Sequence, residues 1–239
     1  MTVQRLTVPL ALSLTAVFLF MSWYLPVGYS LWAYPDNAVF HFFNDPLASR
    51  YSLATFIAII NNRAFDLAAL LMMGTLYYTI FRRKDTAGKR RLVMAGIVMV
   101  VSAVIINQIG QALPFDRLSP TLSVEQANRV GDITGIYTKD ASKSSFPGDH
   151  GLMLMIFAAF VWRYGGLRYF PAAVLIMIIF SLPRIMAGAH WFTDVMIGSL
   201  SLTLISMSWL LLTPLSDLCV NFLVRRMPRI SDITKIISH

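Results

Sequence analysis

The chain has 239 residues, of which 56% are hydrophobic and only 13% are charged, and its mean hydropathy is +0.63. These values exclude an ordinary soluble globular domain and predict a multi-spanning membrane protein. The formal net charge of +8 is expected to report the orientation in the membrane, and we predict no nucleic-acid partner.

Six apolar stretches are long enough to cross about 30 Å of hydrocarbon and predict an all-α membrane protein with six transmembrane helices. They run approximately over residues 6–25, 64–81, 92–113, 148–164, 168–187 and 195–213. A further apolar stretch, Ser52 to Ile60, is too short to span, and it is predicted as an interfacial helix or an outer extension of the second span. No repeat or linker divides the chain, which indicates a single integral membrane domain over residues 1–239.

Basic residues fall in unequal numbers on the two sides of these spans, and this asymmetry predicts the orientation. The richer side is expected to be cytoplasmic and to hold both termini. It carries Arg5, Arg82, Arg83, Lys84, Lys89, Arg90, Arg91, Arg163, Arg168, Arg225, Arg226, Arg229 and Lys235.

Three short polar clusters interrupt the apolar sequence, and all of them fall on the opposite, outer side. They are Arg117 with Pro120 nearby, the run Ser145-Phe146-Pro147-Gly148-Asp149-His150, and the set Arg184, His190 and Asp194. Ionisable groups beside membrane spans are costly and typically mark functional sites.

The third cluster has the chemistry of a phosphoryl-transfer site. His190 and Asp194 are about one helical turn apart, so the carboxylate can accept a proton from one imidazole nitrogen and leave the other as an oriented nucleophile. The guanidinium groups of Arg184 and Arg117 offer paired donors to phosphoryl oxygens. A His–Asp pair at this spacing is also a common structural hydrogen bond. Arg117, taken alone, equally fits a charged residue at the outer membrane surface with no catalytic role.

The second cluster places His150 at the start of a predicted helix, directly after Pro147-Gly148 and Asp149. Free main-chain N–H groups and the helix dipole favour an anion there. Pro147 and Asp149 equally fit an ordinary helix start. Because all three clusters lie on one membrane face, their combination predicts covalent phosphoryl transfer.

The three clusters resemble the signature motifs of the type 2 phosphatidic acid phosphatase superfamily, a six-helix membrane fold. The resemblance implies that His190 becomes phosphohistidine, Asp194 orients it and His150 protonates the leaving oxygen. It also implies a set of phosphate-binding residues, namely Arg117, Arg184, Ser145, Gly148 and Asp149. The implied scheme uses no metal and no cofactor.

Two positions depart from the superfamily pattern. Gly148 and Asp149 stand where the second motif usually has Ser-Gly, and Gly110 stands where the first motif has a lysine. Lys139 and Lys143 are candidates to replace that lost cation, although both also fit solvent-exposed loop charges. Arg63 is a further candidate accessory residue, either contacting a second phosphate or pairing structurally with the nearby Asp66.

Finer stretches of the chain are similar to the lipid A phosphotransferases of Gram-negative bacteria, a group within this superfamily. These stretches are Asn61–Asp66, Asn107–Leu113, Thr138–Ser142, Ser145–Gly151 and Gly188–Asp194. The resemblance implies transfer of a phosphoryl group from undecaprenyl diphosphate to the 1-phosphate of lipid A, in the bacterial inner membrane with a periplasmic active site. Asp149 would then position the acceptor or deter hydrolysis. The alternatives are an undecaprenyl diphosphate phosphatase, with water as acceptor, and a non-enzymatic lipid transporter.

Overall fold

The computed structural model describes residues 4–226, which are mostly helical and contain no strand. The helices are α1 (Gln4–Tyr24), α2 (Pro26–Asn44), α3 (Tyr51–Ile60), α4 (Arg63–Arg82), α5 (Thr86–Gln111), α6 (Pro120–Ser123), α7 (Val130–Thr134), α8 (Asp149–Phe160), α9 (Phe170–Met186), α10 (Leu200–Leu212) and α11 (Leu215–Arg226). A π-helical segment, Val161–Gly165, extends α8, and a second one, Asp194–Ser199, leads into α10. Arg229 and Lys235, counted above for the orientation, lie outside the described residues.

Membrane-spanning helices are confirmed, and all six predicted spans coincide with helical segments. Four segments within residues 4–226 are long and apolar enough to cross a bilayer: Leu6–Tyr24, Arg63–Arg82, Thr86–Gln111 and Asp194–Leu212. The other two predicted spans are shorter, α9 with 17 residues and α8 with 12 residues plus a five-residue π-helical extension. Because about 17 residues is the lower limit for a spanning helix, the count of six remains a prediction at these two segments.

The short apolar stretch before the second span forms a helix of its own. Helix α3 ends at Ile60, and Asn62 caps the start of α4 because its side-chain oxygen accepts a hydrogen bond from the Ala64 N–H at 2.7 Å. Side-chain oxygens of asparagine are favoured at this position because they satisfy an otherwise unpaired N–H. The pair Asn61-Asn62 therefore separates α3 from the spanning helix α4.

Two of the longer helices, α2 and α11, had no counterpart in the sequence analysis. Helix α2 contains Pro35 followed by Asp36 and a second polar residue, a pattern typical of a turn, yet the helix continues through it. Helix α11 returns to the basic end of the bundle, where Asp217 forms ion pairs with Arg91 at 2.6 Å and with Arg163 at 2.7 Å. Both helices are fixed by partners distant in sequence, which local patterns do not reveal.

Helix α8 forms the centre of the bundle. Leu152, Ile156 and Phe160 on this helix are almost fully buried, and α5, α9 and α10 pack around it. Large apolar side chains of the surrounding helices, such as Phe18 and Leu70, are exposed and suit contact with lipid. The central position of α8 places its first turn, with Asp149 and His150, among the ends of the neighbouring helices.

Candidate active site

A cavity of about 330 Å³ opens at the end of the bundle where α8 begins and α9 ends. Its wall includes five residues singled out from the sequence: Lys139, Asp149, His150, Arg184 and His190. A larger cleft of about 410 Å³ lies among α1, α8, α9 and α10, but its lining is apolar apart from a few hydroxyl groups. The polar cavity is therefore the site where the predicted chemistry can occur.

His190 lies in the loop between α9 and the segment Asp194–Ser199, and its side chain is buried. Its Nδ1 atom is 2.7 Å from the main-chain carbonyl oxygen of Ser145. Because a carbonyl oxygen only accepts hydrogen bonds, Nδ1 carries a proton and donates it. In the neutral ring, Nε2 is then the nitrogen with a free lone pair, and it lies 3.6 Å from Asp149 Oδ1 at the cavity.

The partner of His190 differs from the one expected from the sequence. Asp194 Oδ2 is 3.6 Å from His190 Nδ1, beyond hydrogen-bond distance, whereas the Ser145 carbonyl is in direct contact. Asp194 therefore acts on the ring mainly through its charge in this structure. The spacing of four residues correctly places the two side chains together, but the direct acceptor comes from a segment that is distant in sequence.

Two carboxylates control the charge of His190. Burial of the imidazole disfavours its charged form, but the neighbouring Asp149 and Asp194 carboxylates outweigh this effect and raise the pKa of His190 to about 9. The resting ring is therefore an imidazolium at neutral pH. Such a ring attracts an anionic substrate and must lose a proton before it can attack phosphorus.

Arg117 lies behind Asp194 and does not line the cavity. Its Nη1 atom donates to Asp194 Oδ1 at 2.5 Å, and its Nη2 atom pairs with Asp36 Oδ2 at 2.6 Å. The guanidinium also lies between the rings of Trp23 and Trp191, 5.4 and 5.1 Å from their centroids. With these partners, Arg117 is placed to hold Asp194, and direct contact with a phosphoryl group remains a prediction.

Asp36 was not singled out from the sequence as a site residue. Its carboxylate accepts hydrogen bonds from the main-chain N–H of Thr193 at 2.9 Å and from the Thr193 hydroxyl at 2.7 Å, in addition to the Arg117 ion pair. It therefore fixes the loop between His190 and Asp194. A signal was present, because Asp36 is an acid within an apolar and aromatic stretch, where ionisable groups are costly.

His150 and Arg184 share one carboxylate, that of Asp66. Asp66 Oδ1 is 2.9 Å from His150 Nε2 and 2.6 Å from Arg184 Nη2. Arg184 Nη1 also donates to the Asn61 side-chain oxygen at 2.8 Å. The His150 Nδ1 atom lies 3.5 Å from Asp149 Oδ1, so the two histidines approach the same carboxylate oxygen from two directions.

Ser145 and Gly148 support the site from within the protein. The Gly148 N–H donates to the Asp194 carbonyl oxygen at 3.0 Å, and the Gly148 carbonyl accepts from the Ser199 hydroxyl at 2.6 Å. A Cβ atom at position 148 would lie 3.0 Å from Val195 Cγ2, so a larger residue there would require Val195 to shift by a few tenths of an ångström. The Ser145 hydroxyl is buried and has no hydrogen-bond partner among the described residues 4–226. Phosphate binding by these two residues stays a prediction.

The candidate accessory cations occupy different places. Lys139 lies on the cavity wall, and its carbonyl oxygen accepts a hydrogen bond from the Asn61 side-chain amide at 2.7 Å. Lys143 is exposed and is not part of the wall. The Arg63 guanidinium lies 5.8 Å from the centroid of the Tyr137 ring, whereas Asp66 pairs with the histidine and arginine described above.

Gly110, at the position of the superfamily lysine, is enclosed by neighbouring side chains. A Cβ atom there would lie 3.0 Å from Pro147 Cγ and 3.1 Å from Leu202 Cδ1. A longer side chain at this position would force the second motif to move. The loop that carries Lys139 is therefore the better placed source of an additional cation.

Known proteins similar to this chain identify its family. A family model of the PAP2 superfamily matches residues 92–216, more than half of the chain, including all three polar clusters. The chain belongs to the PAP2 superfamily. PAP2 is the type 2 phosphatidic acid phosphatase superfamily that the motifs resemble, and this part of the sequence analysis is confirmed.

The PAP2 relatives include one with a named lipid product. The chain is 46% identical over 218 residues to the lipid A 1-diphosphate synthase of Escherichia coli (strain K12), covering 91% of this chain and 92% of that protein. A PAP2-type phosphatidylglycerolphosphate phosphatase from Bacillus subtilis, of known crystal structure, is 16% identical. That alignment covers 93% of this chain and 98% of the Bacillus chain, with a TM-score of 0.49.

Proposed function

We propose that this membrane protein is a lipid phosphotransferase that moves a phosphoryl group from undecaprenyl diphosphate to the 1-phosphate of lipid A. The products are lipid A 1-diphosphate and undecaprenyl phosphate. The observation that carries the acceptor assignment is the 46% identity, over nearly the full length of both chains, with a lipid A 1-diphosphate synthase. The reaction type is supported independently by the nucleophile, His190, whose Nδ1–H donates to a carbonyl and whose Nε2 faces the cavity.

In the first step, Nε2 of His190 loses its proton to solvent in the open cavity and then attacks the terminal phosphorus of the donor. A phosphorus–nitrogen bond forms, the phosphorus–oxygen bond to undecaprenyl phosphate breaks, and the electron pair leaves with that oxygen. Because Nδ1–H stays hydrogen-bonded to the Ser145 carbonyl, the ring keeps its orientation while Nε2 reacts. His150, on the other side of the phosphoryl position, protonates the leaving oxygen as far as this stable leaving group requires.

In the second step, an oxygen of the lipid A 1-phosphate attacks the phosphohistidine. A new phosphorus–oxygen bond forms, the phosphorus–nitrogen bond breaks, and the electron pair returns to Nε2 of His190. The acceptor is already an anionic nucleophile and needs little help from a base. Water competes at this step, so the site must favour a second phosphate over solvent.

Cationic groups around the cavity suit a reaction between two phosphate esters. Arg184 is a largely buried residue of the wall and Lys139 is an exposed one, so both can contact phosphoryl oxygens. Arg117 and Asp194 act behind His190, where they hold the loop of the nucleophile. The two guanidinium groups thus have different roles, one toward the substrate and one toward the protein.

We place the cavity at the periplasmic face of the bacterial inner membrane, with both termini in the cytoplasm. The support is the charge asymmetry, because the end of the bundle opposite the cavity carries the run from Arg82 to Arg91 together with Arg163 and Arg168. Lipid A and undecaprenyl diphosphate are both lipids, so their head groups can reach a site at the membrane surface. We also propose that residues 1–239 form a single domain that carries out this reaction.

The deciding experiment follows labelled phosphate from the donor. Purified protein receives undecaprenyl diphosphate with radiolabel in the terminal phosphate, with and without lipid A. Label in lipid A supports the transferase, whereas equal release of inorganic phosphate with and without lipid A supports the phosphatase alternative. Label trapped on wild-type protein but not on a His190→Ala variant excludes a transporter. A His41→Ala variant, altered at an exposed histidine of α2, is the matched control.

A further inference from the structure

The carboxylate of Asp66 connects His150 and Arg184 on one side of the cavity. It lies in the first turn of α4, where the capped helix start holds it in place. Its Oδ1 atom is 2.9 Å from His150 Nε2 and 2.6 Å from Arg184 Nη2, and these two nitrogens are 3.2 Å apart. Two donor nitrogens this close repel each other unless an acceptor lies between them. Asp66 provides that acceptor.

This contact fixes the position of one proton on His150. A carboxylate oxygen accepts hydrogen bonds, so the Nε2 atom that contacts Asp66 must carry a hydrogen. The Nδ1 atom is then the nitrogen that faces the phosphoryl position, next to Asp149 Oδ1 at 3.5 Å. Without Asp66, a neutral His150 could place its single proton on either nitrogen.

We propose that Asp66 is the positioning residue for the proton that His150 delivers to the leaving group. It holds one proton on Nε2 and so presents the second proton of the imidazolium, on Nδ1, to the leaving oxygen. When the phosphorus–oxygen bond breaks, its electron pair goes to that oxygen, which takes the Nδ1 proton. His150 is left neutral, with its remaining proton directed at Asp66. This inference rests on the phosphohistidine step of the proposed function, but not on the identity of the acceptor.

A purely structural ion pair is the alternative, because Asp66 also links α4 to α9 through Arg184. The two roles differ in whether the loss of rate on removing the Asp66 carboxylate depends on the leaving group of the donor. A misplaced Arg184 slows every donor alike, since the same phosphoryl group is transferred each time. A misplaced proton slows most the donors whose leaving group cannot depart as a stable anion.

The test compares two short donors, farnesyl diphosphate and farnesyl monophosphate, both radiolabelled in the terminal phosphate and both without lipid A. The first releases farnesyl phosphate, a stable anion, and the second must release an alcohol. We measure phosphohistidine formation and phosphate release for wild type, Asp66→Asn and Asp66→Glu. The control is Asp132→Asn, an exposed carboxylate on the outer loop, with 74% of its side chain accessible.

With the diphosphate, the rate of phosphohistidine formation by the Asp66→Asn variant should fall roughly 10-fold below that of wild type. With the monophosphate, the fall should be larger by a further factor of at least roughly 100. The Asp66→Glu variant should recover part of the monophosphate rate, and the control should match wild type. Equal losses with both donors would overturn the proposal, as would a wild type that turns over the diphosphate but not the monophosphate. A wild type that reacts with both donors in this assay, yet transfers no label when lipid A is added in a separate reaction, would instead contradict the proposed acceptor.

Discussion

The main-chain carbonyl oxygen of Ser145 accepts the Nδ1–H of His190 at 2.7 Å, while the Asp194 carboxylate lies 3.6 Å from the same nitrogen. The tautomer of the nucleophile is therefore fixed by a main-chain carbonyl. This carbonyl belongs to the part of the second polar cluster that precedes α8. This arrangement separates two tasks, because the backbone orients the ring and the carboxylate stabilises its charge.

Substitution of His190 and Asp194 should give losses of different size. The His190→Ala variant should have no transfer activity, because the nucleophile is absent. The Asp194→Asn variant should keep the fold and the His190 tautomer. Its transfer activity should fall roughly 10- to 100-fold, the usual cost of removing a carboxylate that supports a histidine. The measurement is the labelled-donor assay, with Asp132→Asn as the control. Transfer at the wild-type rate in His190→Ala would contradict the mechanism.

The raised pKa of His190 predicts opposite effects of pH on stability and on reactivity. Its charged form stabilises the folded protein fully below the ordinary pKa of 6.5, and this contribution is lost as the pH rises through the folded value of about 9. The difference corresponds to about 3 kcal/mol at most. The melting temperature should therefore fall over this interval. Attack by the free enzyme should become faster, because neutral Nε2 is the nucleophile.

This pH dependence is checked by melting wild type and a His190→Gln variant in the same detergent from pH 6 to 10. The melting temperature of the variant should lack the part of the decline that depends on His190. Parallel curves for the two proteins would show that the neighbouring carboxylates do not stabilise a charged His190.

Local sequence patterns were enough to predict the spans and the residues around the nucleophile. Helix α8 follows from a hydrophobic run, which is a property of a short segment. The sequence spacing of His190 and Asp194 keeps the two side chains close, although His190 lies in the loop before the helical segment and not on its first turn. Asp36 and Asp66 were not predicted as site residues, because their partners lie far along the chain: Asp36 contacts Thr193, and Asp66 contacts His150. Such contacts depend on how the helices pack, which no single segment encodes.

Lys139 should bind substrate phosphate, whereas Lys143 should not. The Lys139→Gln variant should raise the KM for the lipid substrates roughly 10-fold with little change in kcat, since a charge-assisted hydrogen bond contributes about 1.5–3 kcal/mol. Lys139→Arg should recover most of the affinity. Lys143→Gln, on the same loop but away from the cavity wall, should behave as wild type. Equal effects of the two glutamine variants would reduce Lys139 to part of a general surface charge.

The proposed orientation predicts which ends of the helices are accessible from the periplasm. In a Cys219→Ser background, a Lys143→Cys variant should react with a membrane-impermeant thiol reagent in intact spheroplasts. A Thr86→Cys variant, exposed at the other end of the bundle, should react only after the membrane is permeabilised. The reverse labelling pattern would place the cavity in the cytoplasm.

Both histidines approach the carboxylate of Asp149. Its Oδ1 atom is 3.6 Å from His190 Nε2 and 3.5 Å from His150 Nδ1. A carboxylate oxygen thus stands between the two reactive nitrogens, where the proposed reaction places the phosphoryl group. The side chain is 45% exposed, so it has room to turn away when a substrate enters. Near the phosphohistidine, the volume of this side chain would exclude water, whereas a lipid phosphate is held at the site by its own membrane anchor.

An Asp149→Gly variant should therefore release more inorganic phosphate relative to transfer onto lipid A, even if the total rate falls. If Asp149 only supports the start of α8, the same change should cost about 0.3–1 kcal/mol of stability and leave the ratio of transfer to hydrolysis unchanged. An Asp149→Asn variant separates charge from volume, because it keeps the size and removes the charge. The measurement is the partition of one labelled donor between lipid A and free phosphate, which does not depend on the amount of active protein. An unaltered ratio together with a lower melting temperature would leave Asp149 with a structural role alone.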